Sequence, residues 1–143
     1  MGFDFAPKKK AAGDFHLGAF SWPWMMEHGV GLVLGYAEGV EPGTFVSDFR
    51  KCQNGSDSSP AYNDGFPVSA QEAKWMASAA RGLARAMRYR QQIFDGLTPE
   101  RRKQIEDEPL LSTLYKRPVR PDFVAKCDEF AEWAEKSGGF EIH

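Results

Sequence analysis

The stretch YNDGFPVSAQEAKWMASAARGLARAMRYRQQIF, residues 62–94, decides how this chain is built. Asn63, Asp64 and Gly65 are turn residues, and Phe66 to Val68 allow one short extended step. Ser69 and Glu72 then match a capping box, in which the serine hydroxyl accepts from the backbone N–H three residues on and the glutamate reaches back to the cap. The residues that follow have a helical period. Plotted at about 100° per residue, Ala73, Met76, Ala79, Ala80, Leu83, Ala86, Met87, Ile93 and Phe94 share one broad arc. Lys74, Ser78, Arg81, Arg85, Arg88 and Gln92 lie opposite. The expectation is a core helix with a basic outer stripe, whose many alanines let a neighbour approach closely. Arg90 falls inside the apolar arc, where either its aliphatic stem lies along the core edge while its charge reaches water, or it meets a buried carboxylate.

Working outward, Gly96 is placed to end that helix, and Thr98 with Pro99 to begin a short exposed one. Pro109 opens a further turn through Leu110, Leu111, Leu114 and Tyr115, and Pro118 and Pro121 impose an extended link. From Asp122 to Lys136, Phe123, Val124, Cys127, Phe130, Ala131 and Ala134 mark the buried side of a second principal helix, with Asp128, Glu132 and Glu135 on another side. Gly138 and Gly139 stop it, and Phe140 to Ile142 return as a terminal edge strand.

On the N-terminal side, Ser21 is the expected cap of a short helix that tolerates Pro23 in its first turn and stops at Gly29. Val30 to Tyr36 and Thr44 to Phe49 read as strands, the first interrupted by glycines. Residues 50–65 form a long polar connection. The fold class expected is α+β: two principal helices on a small, mostly antiparallel sheet, with extra short helices, in a single domain spanning residues 1–143.

Composition narrows the function. At 143 residues the chain can bury roughly two-thirds of the surface it would expose unfolded. Its formal charge of −2 supplies no general field for nucleic acid or an anionic membrane, so such binding needs a local patch. No apolar stretch is long enough to span a bilayer, and the lysines at 8–10 precede no apolar signal region. Cys52 and Cys127 have neither zinc nor redox spacing and read as free thiols in a reducing, cytoplasmic setting. Nothing cationic is placed to activate Cys127, which reads as a small buried hydrophobe. The histidines His16, His28 and His143 are scattered, and no serine sits in a nucleophile elbow.

The NDG turn with Val68, Ser69, Glu72 and Ala73, and the ending Ser137, Gly138, Gly139, Phe140 and Ile142, give the chain a likeness. It resembles small uncharacterised bacterial and phage-borne proteins that have a turn, a "VS" cap and a helix, and close on an "SGGF" tail. The segment from Thr98 to Pro121 looks like an addition to that pattern. The resemblance implies no established activity and no catalytic residue.

The function expected is therefore a non-enzymatic accessory or interaction protein of a bacterium or phage, without cofactor. It would bind a protein partner through an aromatic and loop surface that includes Trp22, Trp24, Asn54, Asp57 and Asp64. Two other readings stand beside it. One is a small metal-dependent hydrolase using His16, His28 and Asp64, with Asp14 and Glu27 nearby in sequence. The other is nucleic-acid binding along Lys74, Arg81, Arg85 and Arg88, with Trp75 or Tyr89 stacking on bases. The same arginines could instead pair with the acidic side of the last helix.

Overall fold

The computed structural model describes residues 2–34, 65–107 and 121–143. The fold is α+β, with four helices and a four-stranded antiparallel sheet among these residues. Strands β1 (Gly2–Pro7) and β2 (Phe15–Gly18) form a hairpin, closed by a 3-10 turn at Lys10–Ala12. Helix α1 (Ser21–Glu27) and a 3-10 helix (Val30–Leu34) follow. Strand β3 (Phe66–Val68) leads into the long helix α2 (Ala70–Asp95), then α3 (Pro99–Asp107), α4 (Pro121–Ser137) and β4 (Phe140–Ile142).

The sheet order is β2-β1-β4-β3. Register places Phe15, Phe5, Ile142 and Phe66 in one row across all four strands. Strand alternation turns Phe3 and Phe5 inward and leaves Asp4 and Ala6 exposed, so one face of the sheet is apolar and the other meets solvent. Phe5 sits at the centre of an aromatic cluster. Its ring lies 4.8 Å from Trp22 and 5.6 Å from Phe140, both edge-on, and 6.1 Å from Phe130, within the range of favourable ring pairs. Trp133 stacks on Phe15, and its indole N–H donates to the Gly13 carbonyl at 2.7 Å, so burial leaves no polar atom unmet.

Helix α2 starts where the capping box places it. The Ser69 N–H donates to Glu72 Oε1 at 3.0 Å, and the Glu72 N–H to Ser69 Oγ at 3.1 Å. Its far end is closed by Arg102 of α3, whose Nε and Nη2 donate to the carbonyls of Phe94 and Asp95 while the guanidinium lies over the Phe94 ring. A cation is well suited to the negative end of a helix. Thr98 caps α3 by accepting from the Arg101 N–H.

The SGGF tail is a backbone device. Ser137 Oγ donates to the Ala134 carbonyl and accepts from the Gly139 N–H. Gly138 and Gly139 have φ of 69° and 96°, and a Cβ on Gly139 would come 2.7 Å from the Val68 carbonyl. Only glycine turns the chain here and lets β4 lie against β3.

Four expectations are corrected. The tail strand is an inner strand, between β1 and β3, because residues 2–7 supply a strand that the sequence reading left out. Val30–Leu34 is a 3-10 helix: Val30, Gly31 and Leu34 are buried while Leu32 is exposed, a spacing no alternating strand produces. The N-cap position of α1 is Phe20, with no side-chain cap bond, rather than Ser21. The buried side of α2 runs through Ala73, Met76, Ala77, Ala80, Ala84 and Met87, so it is turned away from Ala86, Arg90 and Ile93, which are exposed. The expected strand Thr44–Phe49, the turn residues Asn63 and Asp64, Cys52 and the segment 109–118 lie outside the described residues. Among the described residues no helix is long and apolar enough to cross a membrane.

Candidate functional site

Most large apolar side chains are inside, so those left at the surface stand out. Among the described residues they are Phe20 (85% exposed), Leu32 (64%), Tyr89 (63%), Trp75 (55%) and Ile93 (43%). Three of the five lie on α2. Trp75, Tyr89 and Ile93 fall on the side of that helix away from its buried alanines, and exposed Gly82 and Ala86 with half-buried Ala79 lie between them. The result is a continuous outward strip with an aromatic near each end and small residues in the middle. The capping box fixes where the helix starts, and the alanines packed on α4, with the Arg81–Glu135 and Arg88–Asp128 pairs beside them, set its rotation.

The expected partner-binding residues divide differently. Trp22 is fully buried against Phe5 and Phe130 and is a core residue, not a contact. Trp24 is half-buried, edge-on to Phe123 at 5.7 Å, so part of its indole still faces out. Asn54, Asp57 and Asp64 lie outside the described residues. The sequence reading offers Trp75 and Tyr89 as base-stacking groups. The signal for the α2 strip was present in the spacing, but the broad arc merged two separate faces and counted the exposed Ala86 and Ile93 with the core, while Ala79, which packs against the core, belongs at its margin.

The hydrolase residues are not brought together. His16 projects from β2 on the solvent face of the sheet, where its Nδ1 is 2.7 Å from Asp4 Oδ1, its cross-strand partner. His28 ends α1 on the other side, and its Nδ1–H donates to the Trp24 carbonyl at 2.7 Å, an ordinary helix-terminus contact. Asp64 is not among the described residues, and no group of three or more potential metal ligands forms among them.

The basic stripe is partly committed internally. Arg81 makes a two-pronged pair with Glu135, its Nη2 donating to Oε2 at 2.8 Å, and Arg88 donates to Asp128. The Glu135 bond raises the Arg81 pKa, and the same bond holds the Glu135 carboxyl below its usual range. Glu132 is lowered likewise, mainly by its hydrogen bond to Lys136. The acidic side of α4 thus takes two of the four cations proposed for nucleic acid, leaving Lys74 and Arg85.

Cys127 is the one free cysteine among the described residues and is completely buried. Burial, with Asp128 next to it, pushes its thiol up to about 12, which makes it a packing group and not a nucleophile. No protein family, curated protein or solved structure matches the chain.

Proposed function

We propose that the protein is a non-enzymatic interaction protein that binds another protein through the outward strip of α2. The observation that carries this reading is the exposure of Trp75, Tyr89 and Ile93 on one side of a single rigid helix. Exposed aromatic residues on a preorganised element are what interface anchors require, because they offer large apolar area at small entropic cost. The ion pairs of Arg81 and Arg88 favour this over nucleic-acid binding, since the cations nearest the core already neutralise α4. The resemblance to bacterial and phage-borne proteins supports an accessory role in a bacterium or phage. A free, buried Cys127 agrees with a reducing, cytoplasmic compartment.

The test is affinity capture from source cells with the wild-type chain and with Trp75→Ala and Tyr89→Ala. Both side chains are more than half exposed, so both variants should fold. Loss of a specific partner with either variant is the expected result. Retention of every partner by the double variant would remove the strip from the function.

A further inference from the structure

The outward strip of α2 has a regular spacing. Trp75, Ala79, Gly82, Ala86, Tyr89 and Ile93 follow one another at intervals of four, three, four, three and four residues. This is the alternation of apolar positions that receives a partner helix in knobs-into-holes packing. The same helix already uses that alternation once. Ala73, Ala77, Ala80, Ala84 and Met87, all buried, repeat the four-three spacing on the inner side, and α4 packs there. On that inner seam the arriving helix is acidic: Asp128 and Glu135 meet Arg88 and Arg81 along its margin.

Nothing among the described residues asks the outer seam to be small at Gly82. A Cβ at Gly82 would meet nothing within 4 Å, so the described structure does not require glycine there. Glycine in an exposed helix interior costs about 1 kcal/mol relative to alanine. A second helix lying close across Gly82 would use the missing side chain. The positions that flank the seam, where a partner helix places its charged residues, are Ser78, Leu83, Arg85, Arg90 and Gln92. They include two cations and no carboxylate. Arg85 is exposed.

That charge pattern chooses among occupants. A second copy in antiparallel orientation would set Arg85 against Arg85, a like-charge contact that opposes pairing. Resting on the interaction reading above, we propose that the outer seam of α2 docks an amphipathic helix of a partner protein that carries carboxylates beside its apolar stripe. The bound state would repeat outside the molecule what α4 does inside it. Trp75 and Tyr89 would pack over the partner's apolar residues, its small or leucine side chains would close on Ala79, Gly82 and Ala86, and Arg85 would pair with an acidic flank.

The experiment titrates the full chain into a fluorescent synthetic helix of four heptads. The helix has leucine and alanine on one seam and glutamate at both flanking positions; a twin carries lysine in place of glutamate. Anisotropy should show the acidic helix binding and the basic twin weaker by about tenfold at low salt, with the gap closing as salt is added. Gly82→Leu, whose Cβ would meet nothing within 4 Å at this exposed position, should abolish binding without unfolding the protein. Arg85→Glu should weaken the acidic helix by about fivefold and favour the twin. Failure of both helices to bind, equal binding of the two, or indifference to Gly82→Leu would overturn the proposal. So would a dimer in sedimentation that Gly82→Leu dissociates, since the occupant would then be a second copy. If a captured partner depends on Trp75 and Tyr89 yet the acidic helix does not compete with it, the acidic-helix proposal fails and the interaction reading stands. If capture ignores those aromatics, both fail.

Discussion

Cys127 shows what burial does to a single ionisable residue. The folded chain keeps its thiol protonated up to about 12, whereas the unfolded chain would release that proton near the ordinary 9.0. The unfolded state therefore binds fewer protons in this window, and stability falls as pH rises. The contribution is whole below 9.0 and is lost on the way to about 12. The stability advantage of the wild type over Cys127→Ala should thus shrink through that window, with a slope up to about 1.4 kcal/mol per pH unit. Urea unfolding of both proteins across the window checks this, and a constant difference would contradict it. That cysteine, like the Ser69 and Glu72 cap, was legible in the sequence because its meaning depends on its own helix: apolar neighbours at helical spacing in one case, a partner three residues away in the other. Trp22 was not legible in this way. An indole near the chain surface in sequence can be a contact or a core group, and only the position of Phe5, in a distant strand, decides.

At the level of elements, α2 has two faces that both carry small residues at mid-helix and have opposite fates. Ala80 is buried and Ala86 is exposed, although both are alanines in the middle of one helix. Ala80→Leu should overpack the seam with α4 and cost about 1–3 kcal/mol, while Ala86→Leu should change stability by about 0.5 kcal/mol or less. Thermal or denaturant melts of the two variants, compared with wild type, check the assignment of the faces; equal effects would reject it. The existence and limits of α2 and α4 were readable, since caps, glycines and period are local. The inward alanines were read in part: Ala73 and Ala80 are buried as expected, but Ala77 and Ala84 were left out and Ala86 was included, because an arc of small residues hardly distinguishes one side of a helix from another. Arg81 and Arg88 carried the missing information: their reach to Glu135 and Asp128 fixes the rotation, and that depends on where α4 lies. Val30–Leu34 was misjudged for a related reason. Short apolar runs fit a strand or a helical turn, and Gly29, with φ of 126°, turns this one out of extended geometry.

For the molecule as a whole, the aromatic cluster around Phe5 joins the sheet to α1 and α4. Phe5→Ala should cost about 3–5 kcal/mol, a large share of the total stability of a domain this size. Urea unfolding followed by tryptophan emission would show it, and a loss below about 1 kcal/mol would mean the cluster is not the keystone described here. The class of fold was legible because helices and a sheet each leave a period in the sequence. The strand order was not, since the pairing of Phe5 with Ile142 joins residues at opposite ends of the described chain, and no local pattern records it. That pairing has a consequence for biosynthesis. A ribosome delivers the β1–β2 hairpin well before β4, so the inner edge of β1 emerges with open N–H and C=O groups and waits, while the residues between are made, for the strand that covers it. A nascent chain halted before β4 should be held by chaperones or cleared by proteases, and native sheet should form only once β4 has left the exit tunnel.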